Sequence, residues 1–205
     1  MSGVRGRPRE GAIDARLLDA VRTLLASSDY AEVTIARISE TAGVGRAAIY
    51  RRWSTRPELV FAAVVHGAEL DVGRFDRGDL RADVHALVEH VVALLSAPVV
   101  RNALPGLLAE LQAEPVLRHG FHARFITAEL EVVAGILARA RSRGELRPVH
   151  PIGTDEVHAH LVGMAWAEIF LVAGNTDDAS TVVDRISRSV LSTLITTGAD
   201  NAHSS

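Results

Sequence analysis

Apolar residues recur three or four positions apart along almost the whole chain, and strict alternation is rare. This spacing places apolar side chains on one face of a helix, whereas a half-buried strand requires alternation. Of the 205 residues, 48% are hydrophobic, so the chain can bury a sizeable core. The pattern therefore predicts an all-α protein of about nine helices.

A polar, glycine-bearing stretch at residues 71–79 interrupts the helical spacing and indicates a domain boundary. It divides the chain into a flexible basic arm at 1–11, a first helical domain at 12–70, a second helical domain at 80–198 and a disordered tail at 199–205. Proline and capping residues punctuate the helices, and Pro105-Gly106 is expected to kink or restart one of them. The expected helices lie at about 12–27, 34–42, 45–53, 55–70, 80–96, 99–113, 115–143, 153–174 and 178–197.

The composition excludes several classes of protein. The chain has no cysteine, which excludes disulfides, thiolate zinc sites and cysteine nucleophiles. The longest nearly apolar run, residues 161–174, is broken by Glu168 and falls short of the roughly 18 residues that a membrane span needs. The basic start is not followed by an apolar stretch, so it does not resemble a secretory signal. We therefore expect a cytoplasmic protein without a membrane partner.

Charge is unevenly distributed along the chain. Every basic residue is an arginine, and the formal net charge is −3. Residues 1–60 hold ten arginines and seven acidic residues, whereas residues 61–205 hold twelve and eighteen. A basic first domain beside an acidic second domain indicates that only the first meets a polyanion such as DNA.

Two short predicted helices in the first domain are joined by a tight turn. Thr34 is a good N-cap residue, and Val33 with Ile38 forms the hydrophobic pair that often brackets a helix start. Gly43 can adopt the left-handed conformation that the turn requires. With the longer helix before them, these elements predict a helix-turn-helix; the alternative is a purely structural helical hairpin.

Residues 34–59, TIARISETAGVGRAAIYRRWSTRPEL, resemble the DNA-binding domain of the TetR family of transcriptional repressors. The most specific part comprises Tyr50, Trp53, Arg56 and the pair Glu58-Leu59. The match covers about residues 12–64, and the rest is similar to the family only as an all-helical regulatory domain of suitable length. The phrase that begins Arg143-Gly-Glu-Leu is also similar to one subgroup of the family.

The resemblance implies a homodimer that binds a pseudo-palindromic double-stranded DNA operator. It also implies an unknown small apolar or amphipathic effector, which binds the second domain and releases the repressor. Thr34, Tyr50 and Arg56 would hold phosphates by this resemblance. Hydroxyl residues often occupy the positions where this chain has Gly45 and Ala48, so part of the usual contact set is absent.

Helical spacing independently predicts which side of the recognition helix faces outward. Val44 and Ile49 would point into the core, which leaves Arg46 in the first turn as the leading base-reading candidate. The arm around Arg5 resembles the core of an AT-hook and suits a minor groove, or else it is a disordered tail that attracts phosphates. The candidate DNA-binding residues are Arg5, Arg7, Thr34, Gly45, Arg46, Ala47, Tyr50, Arg51 and Arg56.

Two features of the second domain suggest a ligand site and a subunit interface. Glu168 lies in an apolar helix, where it either pairs with an arginine or anchors a ligand. Helices 153–174 and 178–197 are apolar on more than one side, so they either complete the core or, as the resemblance implies, pair with their copies in a dimer. The pocket candidates, each of which could equally be core, are Phe121, His122, Phe125, Met164, Trp166 and Glu168. The interface candidates are Ile169, Val183, Ile186, Val190 and Leu194.

Nine histidines raise the question of a metal site. Their spacing brings only His119 and His122 onto one helix face, and no cysteine or acidic pair completes a ligand set. We therefore predict no metal, no cofactor, no catalytic residue and no enzymatic activity. Two alternatives stay open: an effector-binding module without specific DNA binding, and a small α-helical, metal-assisted enzyme.

Overall fold

The computed structural model describes residues 7–65, 72–146, 152–172 and 178–195. Within these ranges the chain forms ten α-helices and no strand, which confirms the all-α prediction. The helices are α1 Arg7–Ser27, α2 Ile35–Ala42, α3 Arg46–Tyr50, α4 Arg56–Val65, α5 Leu80–Ser96, α6 Pro98–Ala113, α7 Pro115–Phe121, α8 Thr127–Ser142, α9 Thr154–Ala167 and α10 Ala179–Ile195. Short 3-10 turns lie at Tyr30–Glu32 and Val72–Phe75, and π-helical segments at His122–Ile126 and Glu168–Val172.

The first helix is longer than its sequence pattern indicated. Helix α1 begins at Arg7, so the prediction of a flexible arm is wrong for residues 7–11. Pro8 suits the first turn of a helix, because a proline there has no amide hydrogen to leave unpaired and its φ is already helical. Arg5 lies outside the described residues.

Helix α6 does not restart at Pro105-Gly106 as expected. It runs unbroken from Pro98 to Ala113, with Pro105 in its interior. Ala103, Leu104 and Leu107 on either side of the proline are buried. Their packing keeps the helix continuous although Pro105 lacks the amide that would complete the backbone hydrogen bonds.

Contacts divide the chain into two compact units. The first unit comprises residues 1–69 and 97–121, and in it α6 packs against α1, α4 and the turn at Tyr30–Glu32. The Asn102 amide also donates to the Leu25 carbonyl at 3.0 Å. By contact, residues 97–121 of the predicted second domain at 80–198 therefore belong to the first unit, because the apolar face of α6 is covered by helices of that unit. The fully buried side chains of this unit include Leu17, Val21, Leu25, Ile38, Ile49, Leu59 and Leu107.

The second unit comprises residues 70–96 and 122–205. Helix α10 packs against α5 and α9, and α8 packs against α9 and the turn at Val72–Phe75. Among the side chains that form its core are Val88, Ile136, Leu161, Ile186 and Val190, each at most 2% exposed.

The phrase Arg143-Gly144-Glu145 connects the end of α8 to the beginning of α5. The fully buried Asp83 carboxylate accepts hydrogen bonds from the Arg77 amide at 2.6 Å and from Arg143 Nη2 at 2.9 Å. Glu145 accepts from the Leu80 amide at 2.8 Å, one of the α5 amides that lack a helical partner. The hydrogen bonds to Glu145 and Asp83 raise the pKa of Arg143. This phrase therefore has a structural role within the second unit.

Two predictions concern the ends of the chain and its hydropathy. The tail predicted at 199–205 lies outside the described residues. Among the described helices, none alone is long and apolar enough to cross a membrane, and α5 and α6 reach the required length and hydropathy only when counted together.

Candidate nucleic-acid interface

Helix α2 begins with the cap that the sequence predicted. The Thr34 hydroxyl accepts a hydrogen bond from the Arg37 amide at 3.3 Å, and the Thr34 backbone is extended. Val33 and Ile38, on either side of this cap, are both fully buried. The start of the helix is thus anchored in the core, while Thr34 itself stays exposed.

The turn between α2 and α3 is a Schellman motif centred on Gly43. Gly43 has φ +60° and ψ +38°, its amide donates to Glu40 and the Val44 amide donates to Ser39. The Ser39 hydroxyl also donates to the Val44 carbonyl at 2.7 Å. A glycine in the left-handed region, as predicted, therefore sets the direction in which α3 leaves the turn.

Helix α3 has the inward and outward faces that the spacing predicted. Ile49 is fully buried and Val44 is 7% exposed, so both contribute to the core. Tyr50 is 55% exposed, which is an unusually high exposed fraction for a large aromatic ring. Gly45 is the N-cap residue of α3. The exposed side of the helix comprises Gly45, Arg46, Ala47, Tyr50 and Arg51.

Arg46 and Arg51 are the cations available on this face. Both are exposed, and neither side chain makes a hydrogen bond or an ion pair with any residue that the structure describes. Uncompensated guanidinium groups beside small side chains suit phosphate oxygens and guanine edges in a major groove.

Three other arginines of the first unit serve its internal structure. Arg16 donates to the carbonyls of Ala42 and Gly43, which end α2. Arg52 Nε lies 2.5 Å from the Asp14 carboxylate, and its Nη1 donates to the Ala48 carbonyl at 3.1 Å. These contacts join α1 to α2 and to the end of α3. Arg37 similarly contacts Glu32 and Ser28.

Arg56, predicted as a phosphate contact, is instead held inside the first unit. Its side chain is 19% exposed. Its Nη1 donates to the carbonyls of Tyr30 at 3.0 Å and Val33 at 3.2 Å, and its Nη2 pairs with the Glu110 carboxylate. The long side chain turns back onto the turn before α2, where the Tyr30 and Val33 carbonyls accept its protons.

Tyr30 and Gly106 complete this arrangement, which we call the Arg56 cluster (Tyr30, Arg56, Gly106 and Glu110). The Arg56 guanidinium lies 4.3 Å from the centroid of the Tyr30 ring, within the range of a cation–π interaction. The ring also lies against the Gly106 backbone. Burial raises the pKa of the Tyr30 hydroxyl, although the positive charge of Arg56 opposes the shift. The four residues connect α4 and the turn before α2 to α6.

Helix α4 begins with a variant of the capping box. The Thr55 hydroxyl accepts from the Glu58 amide at 3.3 Å, and the Glu58 carboxylate accepts from the Ser54 amide at 2.9 Å. In the standard box the acid would return to the amide of Thr55 itself. The cap nonetheless satisfies two amides at the start of α4.

Sequence reasoning missed Arg16, Gly106 and Glu110. Arg16 and Glu110 act on partners 26 and 54 positions away, and helical spacing carries no information about such contacts. Gly106 did give a signal, since a glycine after a proline inside an apolar helix is unusual. The signal marked a close approach of a side chain rather than a kink.

The predicted pocket residues have different surroundings. Phe121 belongs to the first unit, where its ring meets that of Phe61 edge-on at 4.4 Å. Trp166 stacks on Phe170 at 5.4 Å, and Met164 Sδ lies 3.1 Å from His160 Nε2. Of the remaining candidates, His122 is exposed and Phe125 is half-buried.

Glu168 pairs with an arginine of a neighbouring helix. It is 8% exposed, and its carboxylate lies 3.4 Å from Arg185 Nη1 on α10. Of the two interpretations that the sequence allowed, this contact favours the ion pair, because the buried negative charge has a compensating partner within the same unit.

The five predicted interface residues lie in the core of the single chain. Their exposed fractions do not exceed 7%. The apolar stripe of α10 is covered by α5 and α9. The sequence reveals that a stripe must be covered but not which surface covers it. The residues are Ile169, Val183, Ile186, Val190 and Leu194.

Histidines of the second unit connect helices. His158 Nε2 lies 2.7 Å from the Glu129 carboxylate, joining α9 to α8. His160 Nε2 lies 3.0 Å from Ser189 Oγ, joining α9 to α10. Within the described ranges, no three histidine or acidic side chains are grouped so that they could hold a metal ion.

Comparison with known proteins supports the assignment of a helix-turn-helix followed by a helical C-terminal domain. A family model of bacterial regulatory proteins of the tetR family matches residues 17–63, and a tetracyclin repressor-like C-terminal domain matches residues 75–190. The chain is 28% identical over 197 residues to the DNA-binding transcriptional repressor TetR of Mycobacteroides abscessus, which covers 95% of this chain and 98% of the relative. It is 27% identical over 149 residues to the HTH-type transcriptional regulator YdeS of Bacillus subtilis, covering 72% and 74% of the two chains.

A solved structure shares the fold. The transcriptional regulator FadR from Bacillus subtilis, in complex with stearoyl-CoA, superposes with a TM-score of 0.64 at 14% identity. The match covers 88% of this chain and 98% of FadR. With both domain models matched in order along one helical chain, this protein belongs to the TetR family and is a DNA-binding transcriptional regulator.

Proposed function

We propose that this protein is a repressor whose homodimer binds a pseudo-palindromic operator through the exposed face of α3. The observation that carries the proposal is the contrast among its arginines. Arg46 and Arg51 project from α3 without an internal partner among the described residues, whereas Arg16, Arg52 and Arg56 are engaged within the first unit.

The residues of this face have different roles. Arg46 lies in the first turn of α3, from which a side chain in a major groove reaches base edges. Tyr50, Arg51 and Thr34 contact phosphates and so set the register on the duplex. The Ala47 side chain is small enough to allow α3 to approach the DNA closely. Arg5 reaches an adjacent minor groove from the segment before α1.

A homodimer supplies the second recognition helix that a pseudo-palindrome requires. The two half-sites would be separated by about one turn of the DNA helix or somewhat more. Support comes from apolar side chains in the π-helical segment after α9 and at the end of α10. Leu171, Val172 and Ile195 are 71%, 62% and 49% exposed. Large exposed apolar residues are typical of surfaces that meet a partner.

The second unit binds a small apolar or amphipathic effector that releases the DNA. FadR, which shares the fold, is bound to stearoyl-CoA, a ligand of this class. Within the described ranges, Trp166 Nε1 and Ser187 Oγ are buried without a hydrogen-bond partner, and a ligand would satisfy such groups. The effector acts by binding the two DNA-binding states with different affinities. The site of action is the cytoplasm, where the operator is.

Selection of bound duplexes from a random-sequence pool tests the proposal. We expect the selection to enrich an inverted repeat. The wild-type protein should protect this repeat from cleavage, and an Arg46→Ala variant should not. Enrichment of no sequence would contradict it. That outcome, together with ligand binding by the second unit, would favour the alternative of an effector-binding module without specific DNA binding.

A further inference from the structure

Helix α6 falls within the C-terminal domain by its sequence match but within the first unit by its contacts. The C-terminal family match spans residues 75–190 and therefore includes α6, Pro98–Ala113. In the structure α6 packs against α1 and α4 within the first unit. A segment that the family model assigns to the C-terminal domain is thus part of the DNA-binding unit.

The Arg56 guanidinium is the point at which α6 reaches the helix-turn-helix. Nη2 pairs with Glu110 of α6, while Nη1 donates to the Tyr30 and Val33 carbonyls. Glu110 thereby orients the guanidinium on these two carbonyls. Its carboxylate provides the only ion pair of Arg56 within the described residues.

The carbonyls that Arg56 holds lie immediately before the helix that begins the DNA-binding motif. Val33 precedes Thr34, the N-cap residue of α2. The end of α2 is in turn joined to α3 through the Gly43 turn. A displacement of the Arg56 side chain therefore alters the start of α2, and the short rigid connection carries that change to α3.

We propose that Glu110 is a positioning residue, which keeps Arg56 on the Tyr30 and Val33 carbonyls and thereby fixes the start of α2 and the placement of α3. This proposal rests on the proposed function. Without the Glu110 carboxylate, Arg56 no longer stays on the Tyr30 and Val33 carbonyls, and the start of α2 is freed. Gly106 allows α6 to approach the Tyr30 ring closely enough for the pair to form.

Three variants of the full chain separate this role from direct phosphate binding by Arg56. Glu110→Gln removes the charge and preserves the shape. Arg56→Lys preserves the charge but loses the planar fork that bonds two carbonyls and a carboxylate at once. Glu114→Gln is the matched control, since it makes the same charge change on an exposed residue one helical turn further along. Thermal unfolding establishes that each variant is folded.

Two readouts are needed: amide hydrogen exchange across residues 34–50, and affinity for a duplex selected as described above. Glu110→Gln and Arg56→Lys should each speed amide exchange across residues 34–50. Each should also weaken binding to the duplex by about tenfold, which corresponds to the loss of one charge-assisted hydrogen bond. The double variant should lose little more than either single variant, because both break one contact. Glu114→Gln should behave like wild type in both readouts.

The proposal is overturned if Glu110→Gln matches Glu114→Gln in exchange and in affinity. Near-wild-type binding by Arg56→Lys together with a neutral Glu110→Gln would instead indicate a direct phosphate contact. If the wild-type protein binds no duplex but Glu110→Gln still speeds exchange at 34–50, the positioning contact stands while the proposed function fails.

Discussion

The Tyr30 ring lies so close to the Gly106 backbone that a Cβ atom at position 106 would stand 2.2 Å from Cδ1 of the ring. Since Tyr30 is buried beneath the Arg56 guanidinium, the ring has no room to move aside. Gly106→Ala should therefore destabilise the protein by about 1–3 kcal/mol, as overpacking does. Urea unfolding measures the loss.

The same substitution in open space provides the control for Gly106. Gly163 lies inside α9, and its Cβ would meet nothing within 4 Å. Gly163→Ala should stabilise by roughly 0.5–1 kcal/mol, because alanine is the better helix former. Equal effects at the two positions would contradict the contact with Tyr30.

Serine substitutions at two glycines of the turn should have opposite effects. Gly45 has φ −62° and open space around it, so Gly45→Ser adds a hydroxyl cap to α3 and should gain a few tenths of a kcal/mol. Gly43→Ser forces a side chain into the left-handed region beside Arg16 Nη2 and should cost about 1–2 kcal/mol. Chemical unfolding of both variants measures the difference, and a stabilised Gly43→Ser would contradict the assigned turn.

Arg46→Ala should lose about 1–3 kcal/mol of binding free energy and relax the preference at one base pair of the operator. The reason is that a base-reading arginine discriminates among base pairs, whereas a phosphate contact does not. Competition titrations against operators changed one base pair at a time measure this. Arg81→Ala, on an exposed residue of the second unit, is the charge-matched control and should leave the preference unaltered.

Asp83→Asn should destabilise the protein by about 2–4 kcal/mol, because the buried carboxylate holds the Arg77 amide and Arg143. Denaturant unfolding measures the effect. Glu89→Gln on the exposed side of the same helix removes the same charge and should change the unfolding free energy little. A neutral Asp83→Asn would refute the structural role assigned to the Arg143 phrase.

His90 should make stability depend on pH below about 6.5. Burial, with a contribution from Arg74, lowers its pKa in the folded protein below the ordinary value. Between these two pKa values the unfolded chain binds a proton that folded His90 does not, so the unfolding free energy falls as the pH falls. His90→Phe keeps the edge contact with Phe75 and should lose less stability between pH 7 and about 5 than wild type. If the unfolding free energies of the two proteins changed in parallel with pH, His90 would be ruled out as a source of the pH dependence.

Local structure could be predicted from the sequence wherever the signal lies within a few residues. The Thr34 cap, the Gly43 turn and the buried Ile49 each follow from spacing or from backbone preference, and the structure confirms them. Helix α5 likewise has the predicted bounds of 80–96.

Long-range pairing could not be predicted. The spacing showed that α6 and α10 carry apolar stripes, but packing alone decides that α1 and α4 cover the first and α5 and α9 the second. For the same reason the internal contacts of Arg56 could not be predicted, since its partner Glu110 is 54 positions away. The sequence indicates the number of arginines near α3 but not which of them are already engaged.

The most direct test of DNA recognition by the α3 face is an anisotropy titration. The full-length protein is titrated onto the DNA upstream of its own coding region and onto an unrelated fragment of equal length, at salt concentrations of about 50–200 mM. The account predicts a clear preference for the upstream fragment, a steep loss of affinity with salt, and loss of the preference in Arg46→Ala. Equal binding of both fragments by wild type and Arg46→Ala, or no binding at any salt concentration, would contradict it.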